Sequence, residues 1–229
     1  VNDVPSNDGL FPLEPVAADK PARAARQPRR PRTDRQVSLF SAELAEPGPD
    51  DLAGLLVGPG QVVRMGGTAR VSVVVADGWR AAALLAAFTE RGLTGTQVPS
   101  ADEHTGVRTA FSAALAPLAG RWLRGAVMIP PAGFLLTGPQ LRLWAVAAGR
   151  RESDGYVLSL STTDEQGWQA AGRALRAVGF PAELVGPRAG GPGYRISGRR
   201  RLAVLADLLG APPPGALPDG WPADPGVTG

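Results

Sequence analysis

Residues 52–60 read LAGLLVGPG, and residues 141–149 read LRLWAVAAG. In the first stretch Leu52, Leu55 and Leu56 fall at i, i+3 and i+4, one stripe of a helix, and Gly54 and Gly58 put two positions without side chains four apart on that helix. Small residues at this spacing let two helices approach backbone to backbone. The second stretch offers the partner, with Leu141, Trp144, Ala145 and Ala148 at i, i+3, i+4 and i+7. Asp50 or Asp51 is placed to cap the first helix and Thr137 the second. Each stretch ends in glycine, as helix C-termini often do.

The rest of the chain repeats around these two segments. Leu52 and Leu141, Gly60 and Gly149, and Trp79 and Trp168 are each 89 positions apart. Further on Gly92 and Gly179, Arg108 and Arg195, Leu115 and Leu202, and Leu118 and Leu205 are each 87 apart. One two-residue slip in an otherwise constant offset implies a duplicated unit. QVVRMGGTARVSVVV predicts two strands joined at Gly66-Gly67, with Val71, Val73 and Val75 on one face and Arg70, Ser72 and Val74 on the other. A helix from about Asp77 to Gly92, two strands and a helix ending near Leu123 complete the first unit. After Pro130-Pro131 the same order returns, through YVLSLST, the helix carrying Trp168, AELVGP, GYRIS and RRRLAVLADLLG. The fold class expected is α+β, as tandem pseudo-twofold α-β-β-α-β-β-α repeats with disordered N- and C-terminal tails. The organisation expected is a basic tail over 1–48, repeat one over 49–130, repeat two over 131–210, and a proline-rich tail over 211–229.

Composition narrows the chemistry. The chain of 229 residues has no cysteine and one histidine, His104, so thiolate metal sites and cysteine nucleophiles are excluded and a histidine triad is disfavoured. No apolar run approaches the roughly 20 residues of a membrane span, and no apolar signal segment opens the chain. The expected location is cytoplasmic and nucleoid-associated, with no membrane partner and no small-molecule substrate. Net charge is +3, and Lys20 is the only lysine. Arg23, Arg26, Arg29, Arg30 and Arg32 gather in the N-terminal tail, which suits phosphate backbones or merely solubilises the chain.

A duplicated unit opening on LAGLLVGPG resembles the LAGLIDADG homing endonucleases and their non-cleaving DNA-binding relatives of WhiA type. Leu52, Ala53, Gly54, Leu55, Leu56 and Gly60 carry the match, which covers roughly residues 50–210; the second motif is degenerate. The resemblance implies two motif helices packed at a pseudo-twofold axis and two four-stranded sheets forming a saddle along double-stranded DNA. It also implies an acid near the end of each motif helix, holding divalent metal at the scissile phosphates. Here those positions are Pro59 and Ala148, with no Asp or Glu in 55–61 or 141–151. The expectation drawn is a non-enzyme with no catalytic residue, no metal site and no cofactor.

Contact with DNA is then expected from Arg64, Arg70, Ser72, Arg108, Ser159, Arg188 and Arg195 on strands and loops, and from Arg199, Arg200 and Arg201 opening the last helix. A strand slip of one residue would exchange inside for outside. Asp102, Glu103 and His104 form a polar cluster read as a solvated loop or a displaced metal site, and Glu152 and Asp154 as turn residues. Trp79 and Trp168 read as core anchors.

Gln36-Val37-Ser38-Leu39-Phe40 resembles the bacterial sliding-clamp-binding pentapeptide at all five positions, with Val37 in place of the usual Leu. The resemblance implies that Leu39 and Phe40 fill the clamp's apolar pocket while Gln36 hydrogen-bonds at the far end. The other reading is a strand or staple packing Leu39 and Phe40 on this chain's own domain. The function expected is thus a DNA-binding accessory of the replication clamp in replication or repair, and the competitors are a WhiA-type regulator, a metal-dependent nuclease with relocated ligands, and a protein-binding scaffold.

Overall fold

The computed structural model describes residues 1, 46–100, 104–153, 155–162, 165–186 and 191–222. A 3-10 turn, Pro49–Leu52, leads into α1 (Ala53–Val57). Then come β1 (Gln61–Met65), β2 (Thr68–Val75), α2 (Gly78–Glu90), β3 (Gly95–Pro99), β4 (Thr105–Thr109) and α3 (Ala116–Trp122). A short hairpin, β5 (Leu123–Arg124) and β6 (Val127–Met128), marks the junction. The second series is α4 (Gly138–Ala148), β7 (Gly149–Arg151), β8 (Gly155–Ser159), α5 (Glu165–Ala177), β9 (Glu183–Val185), β10 (Gly193–Ser197) and α6 (Arg199–Leu209). Both series run α-β-β-α-β-β-α and build antiparallel sheets of equivalent order, β1-β2-β4-β3 and β7-β8-β10-β9. The α+β class and the tandem repeat read from the offsets are what the structure contains.

The seam between the halves is α1 against α4. Every residue of α1 is buried. A Cβ on Gly54 would run into the backbone carbonyl of Gln140, and one on Gly58 would lie 2.5 Å from Cδ1 of Trp144. The glycines are therefore a contact surface, spaced four apart on α1 to meet Gln140 and Trp144, spaced four apart on α4. Trp144 is fully buried, and its indole nitrogen donates to the Ser159 carbonyl at 2.8 Å. Thr137 caps α4 as expected: its hydroxyl accepts from Gln140 N at 3.4 Å, and Gln140 Oε1 accepts from Thr137 N at 3.0 Å.

The start of α1 is built differently from the expected aspartate cap. The chain enters through the 3-10 turn beginning at Pro49, so both aspartates fall inside the first turn. Asp51 Oδ2 accepts from Gly48 N and from Arg91 Nε, each at 3.0 Å, and Asp50 pairs with Arg121 at 2.6 Å. The Asp51–Arg91 pair is nearly buried, which ties α1 to the end of α2.

Sheet parity follows the valine pattern. Val71, Val73 and Val75 face the core with Val62 and Val107, and Val71 N finds its partner in the buried Thr109 hydroxyl at 3.1 Å. Met65 and Thr68 close the β1–β2 hairpin, where Gly66 takes φ +57, a conformation that favours glycine.

The proline-rich stretch is held at least to Pro222. Trp221 is 5% exposed, lies under the Arg142 guanidinium at 5.2 Å and donates to the Gly210 carbonyl at 3.3 Å. Arg142 also reaches the carbonyls of Leu209 and Ala211. Arg151 N donates to Asp219 O at 2.6 Å, and the Tyr156 hydroxyl donates to Gly220 O at 3.1 Å. Burial pushes the Tyr156 phenol well above its ordinary pKa of 10.0, against a smaller opposing pull from Arg80. Residues 223–229 lie outside the described residues.

Candidate nucleic-acid interface

Each sheet has one face on the core and one turned away from it, and pairing registers place the candidate residues on them. In the first sheet Ser72 pairs with both Gln61 and Arg108, and Arg108 with Thr96, so these four side chains form one row across the outer face. Arg70 stands two residues along β2 on the same side. An open groove runs here between Pro59, Gln61, Arg70, Ser72, Ser100 and Arg108. The Arg70 guanidinium lies 4.8 Å over the Phe111 ring, and its buried Nε has no hydrogen-bond partner. Neither Arg70 nor Arg108 pairs with a described acid. Val63, Met65 and Val74, 45%, 59% and 51% exposed, share this face.

Arg64 departs from expectation. It pairs with Ala69, on the core-side parity, and is exposed only because it sits at the hairpin tip, where its Nε donates to the Gly66 carbonyl at 3.3 Å. The one-residue alternation of a strand sends it away from Arg70.

The equivalent row of the second sheet is Arg150, Val157, Arg195 and Glu183. Arg195 is not a bare cation. Its Nε and a terminal nitrogen contact Glu152 Oε2 at 2.9 and 2.7 Å, while Arg150 reaches Glu152 Oε1 at 3.2 Å and the Ser159 hydroxyl at 2.7 Å. Reading the sequence missed Arg150 and left Glu152 as a turn residue. The signal was present, since residues 150, 152 and 195 share a face once β7 is recognised as a strand, but GRRE is too short to announce one.

Arg199, Arg200 and Arg201 are exposed at the start of α6, around an open hollow with Phe180 and Val204. The Arg201 guanidinium donates to Ser197 O at 3.1 Å, which offsets part of the repulsion between cations and a helix N-terminus. Trp168 donates to Ser161 O at 2.7 Å and packs on the core. Trp79 lies against the Arg80 guanidinium at 4.5 Å, with its own indole nitrogen buried and unpartnered. Arg188, Gln36, Val37, Ser38, Leu39, Phe40, Asp102, Glu103 and Asp154 lie outside the described residues. His104 is exposed.

The ends of α1 and α4 are where the family resemblance would put a cation. Pro59 and Ala148 offer a ring and a methyl group. The carbonyls of Ala145, Val146 and Gly149 are taken by the buried Arg80 guanidinium at 3.3, 2.8 and 2.6 Å, itself paired with Asp77 at 2.8 Å. A guanidinium suits the negative end of a helix. These two helix ends do not fit a divalent metal, and no group of three His, Asp or Glu that could hold one occurs among the described residues. No helix among them is long and apolar enough to cross a membrane.

The fold is similar to that of the LAGLIDADG homing endonucleases. The homing endonuclease I-WcaI bound to its DNA recognition sequence superposes with a TM-score of 0.52 at 10% identity, covering 78% of this chain and 88% of that one. I-DmoI in complex with DNA and Mn is a more distant resemblance, with a TM-score of 0.42, 15% identity, and 71% and 96% coverage. No family model matches the sequence, and no curated protein matches it either. One expectation is corrected: I-WcaI, the solved structure whose superposition carries the shared fold, is a homing endonuclease, so the non-enzyme assignment made from Pro59 and Ala148 does not stand. Two absent carboxylates remove one way of holding a hard cation. They do not define what the whole fold does.

Proposed function

We propose that the chain is a DNA-binding protein that lays the outer faces of its two sheets on duplex DNA. The observation that carries this reading is the pair Arg70 and Arg108, on the outer face of the first sheet and without an ion-pair partner among the described acids, in a fold shared with a DNA-bound homing endonuclease. Guanidinium groups on such a face fork onto phosphates or guanine edges. Arg199, Arg200 and Arg201 add phosphate contacts beyond the sheet. Gln36 to Phe40 tethers the chain to a bacterial sliding clamp, which directs it to replicating or repaired DNA; the support is the five-residue match alone.

The test is fluorescence anisotropy of a labelled duplex against salt. Binding should weaken steeply, and Arg70→Gln and Arg108→Gln should each lower the log–log slope by about 0.9. Absence of binding even at low salt rejects the reading. Incubation of plasmid with Mg²⁺ or Mn²⁺ reads strand cleavage directly, the activity that the endonuclease neighbours favour. For the tether, Leu39→Ala with Phe40→Ala should abolish binding to purified clamp without changing the unfolding midpoint, and unchanged clamp affinity removes the tether.

A further inference from the structure

We propose that Glu152 is a specificity-determining residue of the DNA interface: it withholds Arg150 and Arg195 from phosphate and so weakens the grip of the second half on duplex of arbitrary sequence. This rests on the DNA-binding reading above. The two outer faces occupy equivalent places in a duplicated fold, yet their charge is handled differently. Gln61, Ser72, Arg108 and Thr96 form the central row of the first sheet, with Arg70 beside it, and carry no acid. Arg150, Val157, Arg195 and Glu183 form the corresponding row of the second, with Glu152 lodged between the two arginines.

Both oxygens of Glu152 are used. Oε2 takes two nitrogens of Arg195 and Oε1 takes Arg150. The Glu152 backbone is held in the turn between β7 and β8, where its N donates to the Gly155 carbonyl at 2.9 Å. Beneath the ionic layer Val157, on the outer parity, is 0% exposed. The side chains of Arg150, Glu152 and Arg195 are 29%, 22% and 25% exposed, so the three charges are partly desolvated and hold each other more firmly than surface pairs do. A phosphate approaching either arginine meets the carboxylate as well. It must break the pair or accept a negative neighbour, and both outcomes cost affinity. A base edge that can donate to the carboxylate, as the cytosine amino group does, bears no such penalty. The first half supplies sequence-independent attachment, and the second discriminates.

Anisotropy titrations of random-sequence duplex with wild type, Glu152→Gln, Arg195→Gln and the triple variant E152Q/R150Q/R195Q test this. Glu152→Gln should tighten binding at 0.1 M salt and steepen the slope, by about eight-fold and about 0.9 for each arginine that then meets a phosphate. The triple variant should lose the gain. Arg195→Gln, in a chain that keeps Glu152, should leave the slope unchanged, while Arg108→Gln at the equivalent place lowers it. That comparison stands even where Glu152→Gln fails to fold. Equal slope losses for Arg195→Gln and Arg108→Gln, or a folded Glu152→Gln that binds no more tightly, overturn the proposal. A wild type that binds no duplex at low salt overturns the DNA reading itself, which separates the two failures.

Discussion

Replacing Gly54 by alanine tests the seam on which the two halves depend. The added Cβ would lie 2.6 Å from the Gln140 carbonyl carbon and 2.8 Å from its Cα, where ordinary contact begins near 3.4 Å, so the helices must part by at least 0.8 Å. The obstacle is backbone of α4, not the end of a flexible side chain. Alanine recovers about 1 kcal/mol of helix propensity. Overpacking against a rigid neighbour costs about 1–3 kcal/mol and more where backbone must move. Separating α1 from α4 also loosens Trp144, whose ring stands over Gly58. The net expectation is a loss of about 2–3 kcal/mol, seen as a lower denaturant midpoint at unchanged m-value and a fall in Tm of about 5–10 °C. Gly120 supplies the control of opposite sign, since it lies in α3 with nothing within 4 Å of its missing Cβ. Gly120→Ala should gain up to about 1 kcal/mol. A Gly54→Ala protein as stable as wild type would refute the backbone-to-backbone seam.

Asp51→Ala should cost about 2 kcal/mol in chemical denaturation, because it leaves the nearly buried Arg91 guanidinium with only Glu90 and the Ala87 carbonyl and frees Gly48 N. Arg80→Ala should cost about 2–3 kcal/mol and raise amide exchange at the end of α4, where the carbonyls of Ala145, Val146 and Gly149 lose the guanidinium. Trp221→Ala should cost about 3 kcal/mol and expose 211–222 to proteolysis; equal protease resistance would show that this stretch is held by other contacts. Alkaline pH should destabilise the protein. The Tyr156 phenol is raised above its unfolded value of 10.0, so its contribution is complete below pH 10 and is lost as pH rises toward the folded pKa, the unfolded chain shedding its proton first. Tm measured from pH 9 to 11.5 should fall less steeply in Tyr156→Phe, at a cost of about 1 kcal/mol at neutral pH for the lost bond to Gly220.

Much of the fold was legible because duplication writes itself as a fixed offset. A separation of 89 or 87 residues needs no knowledge of packing, and the alternation of Val71, Val73 and Val75 is a property of one strand. Gly54 and Gly58 also announced a close approach, since absent side chains at helical spacing are a local fact. What lay across them was not local. That Gln140 and Trp144 fill the two gaps follows from α4 returning after some 80 residues of chain. The proline-rich stretch read as loose because composition reports propensity, whereas Trp221 finds its place only against Arg142 and Gly210.

The candidate interface divides the same way. The sequence by itself determined the two-fold plan, the helix pair with no room for side chains, and a supply of arginines on strands. Tertiary structure alone decided which arginines carry unpaired charge. Arg64 falls on the other side of its sheet by one residue, and Arg195 is neutralised by a carboxylate 43 positions earlier, brought beside it when β7 and β10 flank β8. Charge is written in the sequence residue by residue, but its availability depends on neighbours within a few ångströms, and those are set by the fold.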